Sequence, residues 1–172
     1  SKAATLETAI KAVTPEFDNK PSEESYMVAT AEGDSVRIYP AKKGDEWVGA
    51  AVESFTKKGF GGEIKLIVGF DKEGKIVNYS VLQHAETPGL GAKMQDWFST
   101  DKGNQSIIGR AISADGLKVK KDGGDVDAIT AATISSRAFL DAVNRAYSAY
   151  SGVDATGAAT SKSSEEGGDS NE

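Results

Sequence analysis

The sequence contains no cysteine and a single histidine, His84, among its 172 residues. The absence of thiols excludes disulfides, iron–sulfur ligation and cysteine nucleophiles. One imidazole leaves a multi-histidine metal site or a Ser-His-Asp triad without enough partners, so both are disfavoured. No apolar run approaches the ~20 residues of a membrane-spanning helix. A net charge of −6, with no lysine cluster larger than the one at 118–121, gives nucleic-acid binding little support.

The two ends of the chain differ in composition from its middle. Residues 151–172 consist mainly of Ser, Gly, Ala, Thr, Asp and Glu, with one valine and no aromatic residue. Such a segment buries too little apolar surface to fold, which predicts a disordered acidic tail. Residues 1–33 predict a helix at 3–13, then a polar loop with a helical turn at 24–28. Residues 34–150 are long enough to form one domain with its own core.

The middle of the chain carries the period-two alternation that is typical of strands. A turn at 71–74 joins two alternating runs, 64–70 and 75–84, which predicts an antiparallel hairpin. The remaining patterns predict strands at 35–40, 47–55, 106–109 and 117–119, and helices at 92–99 and up to Tyr150. Together they predict an α+β fold, a twisted antiparallel sheet with helices packed on one face.

Four hydroxyl side chains crowd into residues 130–136, immediately before the amphipathic helix that ends near Tyr150. Hydroxyls at a helix start accept hydrogen bonds from backbone N–H groups, so simple N-capping explains the pattern. The same N–H groups and the helix dipole bind anions, phosphate above all. The small Ala131 and Ala132 would let a ligand approach the backbone. Spacing alone favours capping over a ligand site.

The segment 86–91 (Glu-Thr-Pro-Gly-Leu-Gly) interrupts the strand periodicity beside the only histidine. Its proline fixes φ and its glycines allow close backbone approach, so it is either a rigid turn or a ligand-lining loop. No G-x-G-x-x-G or P-loop pattern is present, which argues against a Rossmann or NTPase site. By spacing, Trp97 is typical of a core residue and Asp127 of a solvated turn.

Two motifs taken together resemble the FMN-binding domain family. They are His84-Ala85-Glu86-Thr87-Pro88-Gly89-Leu90-Gly91 and Asp127-Ala128-Ile129-Thr130-Ala131-Ala132-Thr133-Ile134-Ser135-Ser136. The loop Gly59-Phe60-Gly61-Gly62 is also similar to that family, and the resemblance covers roughly residues 45–150. The family includes subunits of Rnf complexes and of sodium-translocating NADH:quinone reductases. The short, compact chain is more similar to the Rnf G subunit than to the C subunit of the quinone reductase.

The resemblance implies covalently bound FMN. In the family pattern Asp-x-x-(Ser/Thr)-(Gly/Ala)-Ala-Thr-x-(Ser/Thr), a flavin transferase joins the FMN phosphate to the last hydroxyl through a phosphoester. That hydroxyl corresponds here to Ser135, with Thr133 and Ser136 as competitors, and Ala131 stands where glycine is commoner. The implied cofactor-binding residues are Asp127, Thr130, Ala132, Thr133 and Ser135 in one motif, and Glu86, Thr87, Gly89, Leu90, Gly91, Lys93 and Trp97 in and after the other.

The resemblance also implies a function. The chain would be an electron-transfer subunit of an Rnf-type ion-translocating redox complex, working with other membrane subunits rather than as an enzyme alone. It would follow a removed single-pass membrane anchor and lie on the periplasmic side of a bacterial inner membrane. Two alternatives stay open: an FMN-domain reductase of a small acceptor, and a non-flavin binding module whose hydroxyls only cap a helix.

Overall fold

The computed structural model describes residues 2–152, which form five strands and three α-helices. In chain order the elements are α1 (Lys2–Val13), β1 (Tyr26–Ala29), β2 (Ser35–Lys43), β3 (Glu46–Thr56), β4 (Ile64–Asp71), β5 (Ile76–Gln83), α2 (Met94–Trp97) and α3 (Thr133–Tyr150). Short 3₁₀ turns at Gly91–Lys93 and Lys120–Asp122 lie between the longer elements. The α+β class predicted from the sequence is confirmed.

The strands form one antiparallel sheet in the order β1-β2-β3-β4-β5, so each strand pairs with its neighbour in the chain. The predicted hairpin is β4–β5, in which Val68 lies opposite Tyr79. The predicted helical turn at 24–28 is wrong, because those residues enter β1. Val28 is buried there opposite Val36 of β2, and burial of this pair favours the extended conformation.

Helices cover both faces of the sheet, whereas the sequence predicted helices on one face. α3 packs over β3 and β4 on the first face, where Leu66 and Phe139 belong to the main core. α1 packs on the second face, where Ile10 and Val13 contact a smaller cluster that includes Ile67. Successive side chains of a strand point to opposite faces. In β4 the set that includes Leu66 is apolar throughout, and the other set contains the fully buried Ile67. Each face of β4 therefore needs a cover.

Segments after β5 are held mainly by side-chain burial. The strands predicted at 106–109 and 117–119 are wrong, since only Val119 makes a single parallel bridge, to Val126. Ile107 and Val119 nevertheless lie in the core, so their apolar character reflects burial of loop residues. The helix predicted at 92–99 is present as the 3₁₀ turn followed by α2. The hydroxyl of Tyr79 on β5 donates to the carbonyl oxygen of Met94 at 2.6 Å and fixes α2 to the sheet.

Side-chain hydrogen bonds set the position of α3 along β3. The hydroxyl of Ser54 donates to the carbonyl oxygen of Ala142 at 2.8 Å, and Thr56 donates to the Asp141 carboxylate at 2.8 Å. Arg145 donates from its guanidinium to the carbonyl oxygen of Phe55. Because these partners are far apart in the chain, they fix where the first turn of α3 lies relative to the sheet edge.

The predicted acidic tail and the search for a membrane-spanning helix have separate outcomes. Residues 153–172, most of the predicted acidic tail, lie outside the described residues. Within residues 2–152, no helix combines the length and apolarity that crossing a bilayer requires.

Gly69 of β4 gives a test of how α1 sits on the sheet. A Cβ atom at this position would lie 1.7 Å from the carbonyl oxygen of Val13, so α1 would have to move. We expect Gly69→Ala to lower the free energy of unfolding by ~1–3 kcal/mol, the usual cost of overpacking, in urea denaturation. Lys65→Ala on the same strand is the control, with an expected change within about 0.5 kcal/mol. Equal effects of the two substitutions would contradict this packing of α1.

Candidate functional site

The start of α3 borders a cleft of about 350 Å³, which we call the α3 cleft. Such a volume lies at the lower end of the range for small-molecule sites. The cleft forms at the sheet edge where β3 ends and β4 begins (Thr56 opposite Ile64) and where β5 ends (Gln83 opposite Lys65). Its lining residues are Phe60, Thr87, Leu90, Gly91, Ala131, Ala132, Thr133, Ile134 and Ser135.

Glu86 joins the three segments that surround the α3 cleft. Its carboxylate accepts hydrogen bonds from the backbone N–H groups of Phe60 and Gly61, both at 2.9 Å. It also accepts one from the hydroxyl of Ser135 at 2.5 Å. Glu86 and Ser135 are only 5% and 4% exposed, so this network lies beneath the cleft and not at its mouth.

Two glycines allow the segments to approach this closely. A Cβ atom on Gly91 would lie 2.3 Å from the hydroxyl oxygen of Ser135 and 2.9 Å from Cβ of Glu86. A Cβ atom on Gly61 would lie 2.0 Å from the carbonyl oxygen of Ala85. Any larger residue would separate the segments, so Gly61 and Gly91 both serve close packing around Glu86.

The hydroxyls at the start of α3 do not cap it, contrary to the capping interpretation. The N-cap residue is Ala132, and no side chain of the described residues accepts a hydrogen bond from the first-turn N–H groups of Thr133, Ile134 and Ser135. Ser136 instead accepts from the N–H of Ile129 and donates to the carbonyl oxygen of Ala132, both at 2.9 Å. The helix start therefore offers its N–H groups and positive dipole end to an anion.

Two of the residues named from the sequence hold loops together outside the cleft lining. Asp127 accepts from the N–H of Asn104 at 2.8 Å and pairs with Lys120 at 2.8 Å. The hydrogen bond from Lys120 and that from the Asn104 backbone hold the pKa of Asp127 below its ordinary value. The indole N–H of Trp97 donates to the carbonyl oxygen of Asp127 at 2.8 Å. These contacts anchor the segment that leads into α3.

The structure brings six of the twelve predicted site residues into the cleft lining: Thr87, Leu90, Gly91, Ala132, Thr133 and Ser135. Glu86 contacts the lining through Ser135. Gly89, with φ +78°, belongs to the turn closed by the N–H of Leu90 on the carbonyl oxygen of Thr87 at 3.0 Å. Thr130 and Lys93 are exposed and do not line the cleft. His84 accepts the N–H of Glu86 at its Nδ1, at 3.0 Å, and so shapes the loop.

Three lining residues are not among the twelve: Phe60, Ile134 and Ala131, although the small side chain of Ala131 was expected to let a ligand approach. Phe60 is 69% exposed and Ile134 is 50% exposed, and Leu90 beside them is 37% exposed. A single exposed apolar residue is normal on a protein surface, but three large ones at the rim of one cleft form a patch that indicates a binding surface. The position of Phe60 in the glycine-rich loop 59–62 could have marked it as a candidate. The sequence around that loop does not show that it meets the start of α3.

No group of three or more His, Asp or Glu residues within 2–152 is arranged to hold a metal ion. The α3 cleft thus combines free backbone donors, hydroxyls and an apolar rim. This set suits an organic ligand that carries both an anionic group and a flat apolar part.

Comparison with known proteins gives consistent matches. The profile of the FMN-binding domain family matches residues 59–148. The chain is 40% identical over 139 residues to the G subunit of the ion-translocating oxidoreductase complex of Salmonella typhi, a match that covers 76% of this chain and 65% of that relative. The corresponding subunit of Escherichia coli (strain K12) is 39% identical over 140 residues, covering 76% and 65%. The chain therefore spans just under two thirds of the length of these relatives.

Ala131 gives a test of the backbone at the start of α3. Its φ of +62° is left-handed, a conformation that costs a residue with a Cβ atom ~1–2 kcal/mol and costs glycine little. We expect Ala131→Gly to raise the free energy of unfolding by up to about 1 kcal/mol after the extra freedom of the unfolded chain is subtracted. Ala132→Gly is the control, with φ −140° and an expected loss. A loss in urea denaturation for Ala131→Gly as large as that for Ala132→Gly would contradict the left-handed conformation.

Proposed function

The chain belongs to the FMN-binding domain family, and from this premise we propose that it is an electron-transfer subunit of an Rnf-type ion-translocating oxidoreductase complex, with FMN held in the α3 cleft. The observation that carries the proposal is the combination of an uncapped helix start and an apolar rim in one cleft. The names of the relatives, which match over 76% of this chain, support the assignment to such a complex.

The residues of the cleft suit the chemical parts of FMN. Phosphate is the anion that a helix start with free N–H groups binds best, with ~0.3–1 kcal/mol from the dipole and more when partly buried. The flavin ring is flat and largely apolar, as are the exposed side chains of Phe60, Leu90 and Ile134 around the cleft. Thr87 adds a hydroxyl to the lining, suitable for a polar edge of the ring or the ribityl chain.

Bound FMN would supply the redox chemistry, while the protein supplies position and electrostatics. The first turn of α3 would hold the anionic phosphate through the N–H groups of residues 133–135. Phe60, Leu90 and Ile134 would exclude water from one side of the ring. Glu86 keeps the loop that carries Phe60 in place through its two backbone hydrogen bonds. Each of these tasks belongs to residues that meet at the start of α3.

Covalent attachment through a phosphoester is part of the proposal, and the contacts of the hydroxyls favour Thr133 over Ser135 as the acceptor. Ser135 is buried and its hydroxyl is committed to Glu86, so a phosphate on it would place two acceptor-only groups side by side. Gly91 also covers this hydroxyl. Thr133 is only half-buried, lines the same cleft and has no hydrogen-bond partner for its hydroxyl among the described residues. Ser136 is fully buried and bonded on both sides.

The wider setting of the chain is proposed from the same resemblance. Its partners would be the other membrane subunits of the complex, and a flavin transferase would be needed for maturation. A membrane anchor would precede Ser1 in the whole protein and would place the domain on the periplasmic side of a bacterial inner membrane. Covalent attachment suits this role, since a carrier that changes redox state repeatedly then keeps its flavin.

The reductase alternative receives no comparable support. A second, more polar groove of about 800 Å³ is lined by residues of the segment 104–125. Its arginine, Arg110, already pairs with Asp125 at 2.7 Å and donates to the carbonyl oxygen of Ser106 at 2.9 Å. The guanidinium is thus committed within the fold and is not free to bind a small anionic acceptor. The third alternative, hydroxyls that only cap α3, disagrees with the uncapped helix start.

Labelling with flavin tests the proposal. We expect the full chain, co-expressed with a flavin transferase and then denatured, to show flavin fluorescence in a gel and the mass increment of FMN. Thr133→Ala should abolish both signals because it removes the accessible hydroxyl, and Ser135→Ala should retain them. Thr130→Ala is the matched control, since that threonine is exposed and lies outside the cleft lining.

Each of the other outcomes has a definite meaning. Loss of label in Ser135→Ala with label retained in Thr133→Ala would establish Ser135, the residue predicted from the sequence. An unlabelled parent chain would contradict covalent attachment. Titration of the unlabelled chain with free FMN, followed by quenching of flavin fluorescence, would then show whether the cleft binds the cofactor at all. Absence of quenching would contradict the flavin function itself.

A further inference from the structure

We propose that Glu86 is a buried anion that lowers the reduction potential of FMN in the α3 cleft. Its charge acts from beneath the cleft, without contact between Glu86 and the cofactor. The proposal rests on the flavin function argued above. It assigns to Glu86 a role that differs from direct contact with the cofactor. The effect would come from a negative charge beneath the cleft that no ion pair compensates.

Glu86 is surrounded by hydrogen-bond donors. Its two carboxylate oxygens accept from the N–H groups of Phe60 and Gly61, and one of them also accepts from Ser135. A backbone N–H can only donate, and a protonated carboxyl would need an acceptor for its own O–H group. With the Ser135 hydroxyl donating as well, all three contacts are those of an ionised carboxylate, held at 5% exposure.

No ion pair compensates this charge within residues 2–152. Lys, Arg and His side chains form no ion pair with Glu86 in the described part of the chain, whereas Asp127 pairs with Lys120 and Asp122 pairs with Arg137. The imidazole of His84 accepts the N–H of Glu86 at Nδ1 and so does not serve as a counter-ion through that atom. Three neutral dipoles stabilise the carboxylate but leave its negative charge in place.

The charge lies directly beneath the cleft that would hold the flavin. The Glu86 carboxylate accepts hydrogen bonds directly from Ser135 and from the backbone of Phe60, and both of these residues line the cleft. Each electron that enters FMN adds one negative charge unless a proton from water follows it. A nearby anion in a partly buried site raises the energy of that added charge, because screening there is weaker than in water. Glu86 should accordingly make bound FMN harder to reduce.

Glutamine at position 86 removes the charge but also disturbs hydrogen bonds, since its amide NH₂ group would face a backbone N–H. A second variant is needed to separate the two effects. Glu86→Asp keeps the charge while the shorter side chain strains the same hydrogen bonds. Glu63→Gln removes an equal charge from an exposed position on the loop before β4, and so controls for the general effect of net charge.

The experiment measures the midpoint potential of FMN bound to the full chain by spectroelectrochemical titration, with flavin content determined for each variant. We expect Glu86→Gln to shift the one-electron equilibrium about tenfold toward reduction, which corresponds to about 59 mV. Glu86→Asp should stay within about threefold of the parent and Glu63→Gln within about twofold, shifts of about 28 mV and 18 mV by the same constant.

Three outcomes would overturn the proposal. They are an unchanged potential in folded, flavin-loaded Glu86→Gln, equal shifts in Glu86→Gln and Glu86→Asp, and an equal shift in Glu63→Gln. If Glu86→Gln does not fold by circular dichroism, Ser135→Ala loaded with free FMN decides. Loss of the hydroxyl proton that partly neutralises the carboxylate should move the potential in the opposite direction, and no movement overturns the proposal. A parent chain that binds no FMN refutes the proposed function instead, so the two failures are distinguishable.

Discussion

The burial of one carboxylate organises the candidate site. Glu86 reaches the interior only because three donors from two distant segments meet its oxygens, and an ionised carboxylate without such partners would cost several kcal/mol to bury. Satisfying this group forces the glycine-rich loop before β4, the loop after β5 and the first turn of α3 into contact. The α3 cleft is the space left above that contact. Cleft and network are thus two aspects of one arrangement, and neither loop alone could form the site.

The sheet makes this meeting possible. Antiparallel pairing of β3, β4 and β5 brings both loops to the same edge, and hydrogen bonds from Ser54 and Thr56 place α3 so that its first turn reaches that edge. The opposite face is closed separately by α1, with Gly69 permitting contact between the end of that helix and the backbone of β4. Rigid elements therefore carry loops that would otherwise be mobile, which is the usual basis of a preformed site.

Sequence alone predicted the parts of this molecule whose signals are local. Alternation over 64–84 is sufficient for the β4–β5 hairpin, and the two motifs are sufficient to indicate a flavin site. The strand β1 was missed because four residues with one buried side chain carry little periodicity. The helix on the second face was not predicted, because the alternation around Ile67 and Gly69 indicates a strand but does not show that α1 covers it. The contrast between Thr133 and Ser135 depends on Glu86, 49 residues away from Ser135, and no local pattern reports that contact.

The two electrostatic features of the cleft oppose each other, and this opposition has a consequence for orientation. The first turn of α3 presents unpaired N–H groups and attracts an anion, whereas the Glu86 carboxylate repels one. A ligand with a phosphate at one end and a neutral ring at the other lowers its energy by placing the phosphate at the helix start. The hydroxyl of Thr133 lies at that start, while that of Ser135 already donates to the carboxylate. Attachment at Thr133 would hold the phosphate where the field favours it and would leave the ring, the part that accepts electrons, exposed to the influence of Glu86.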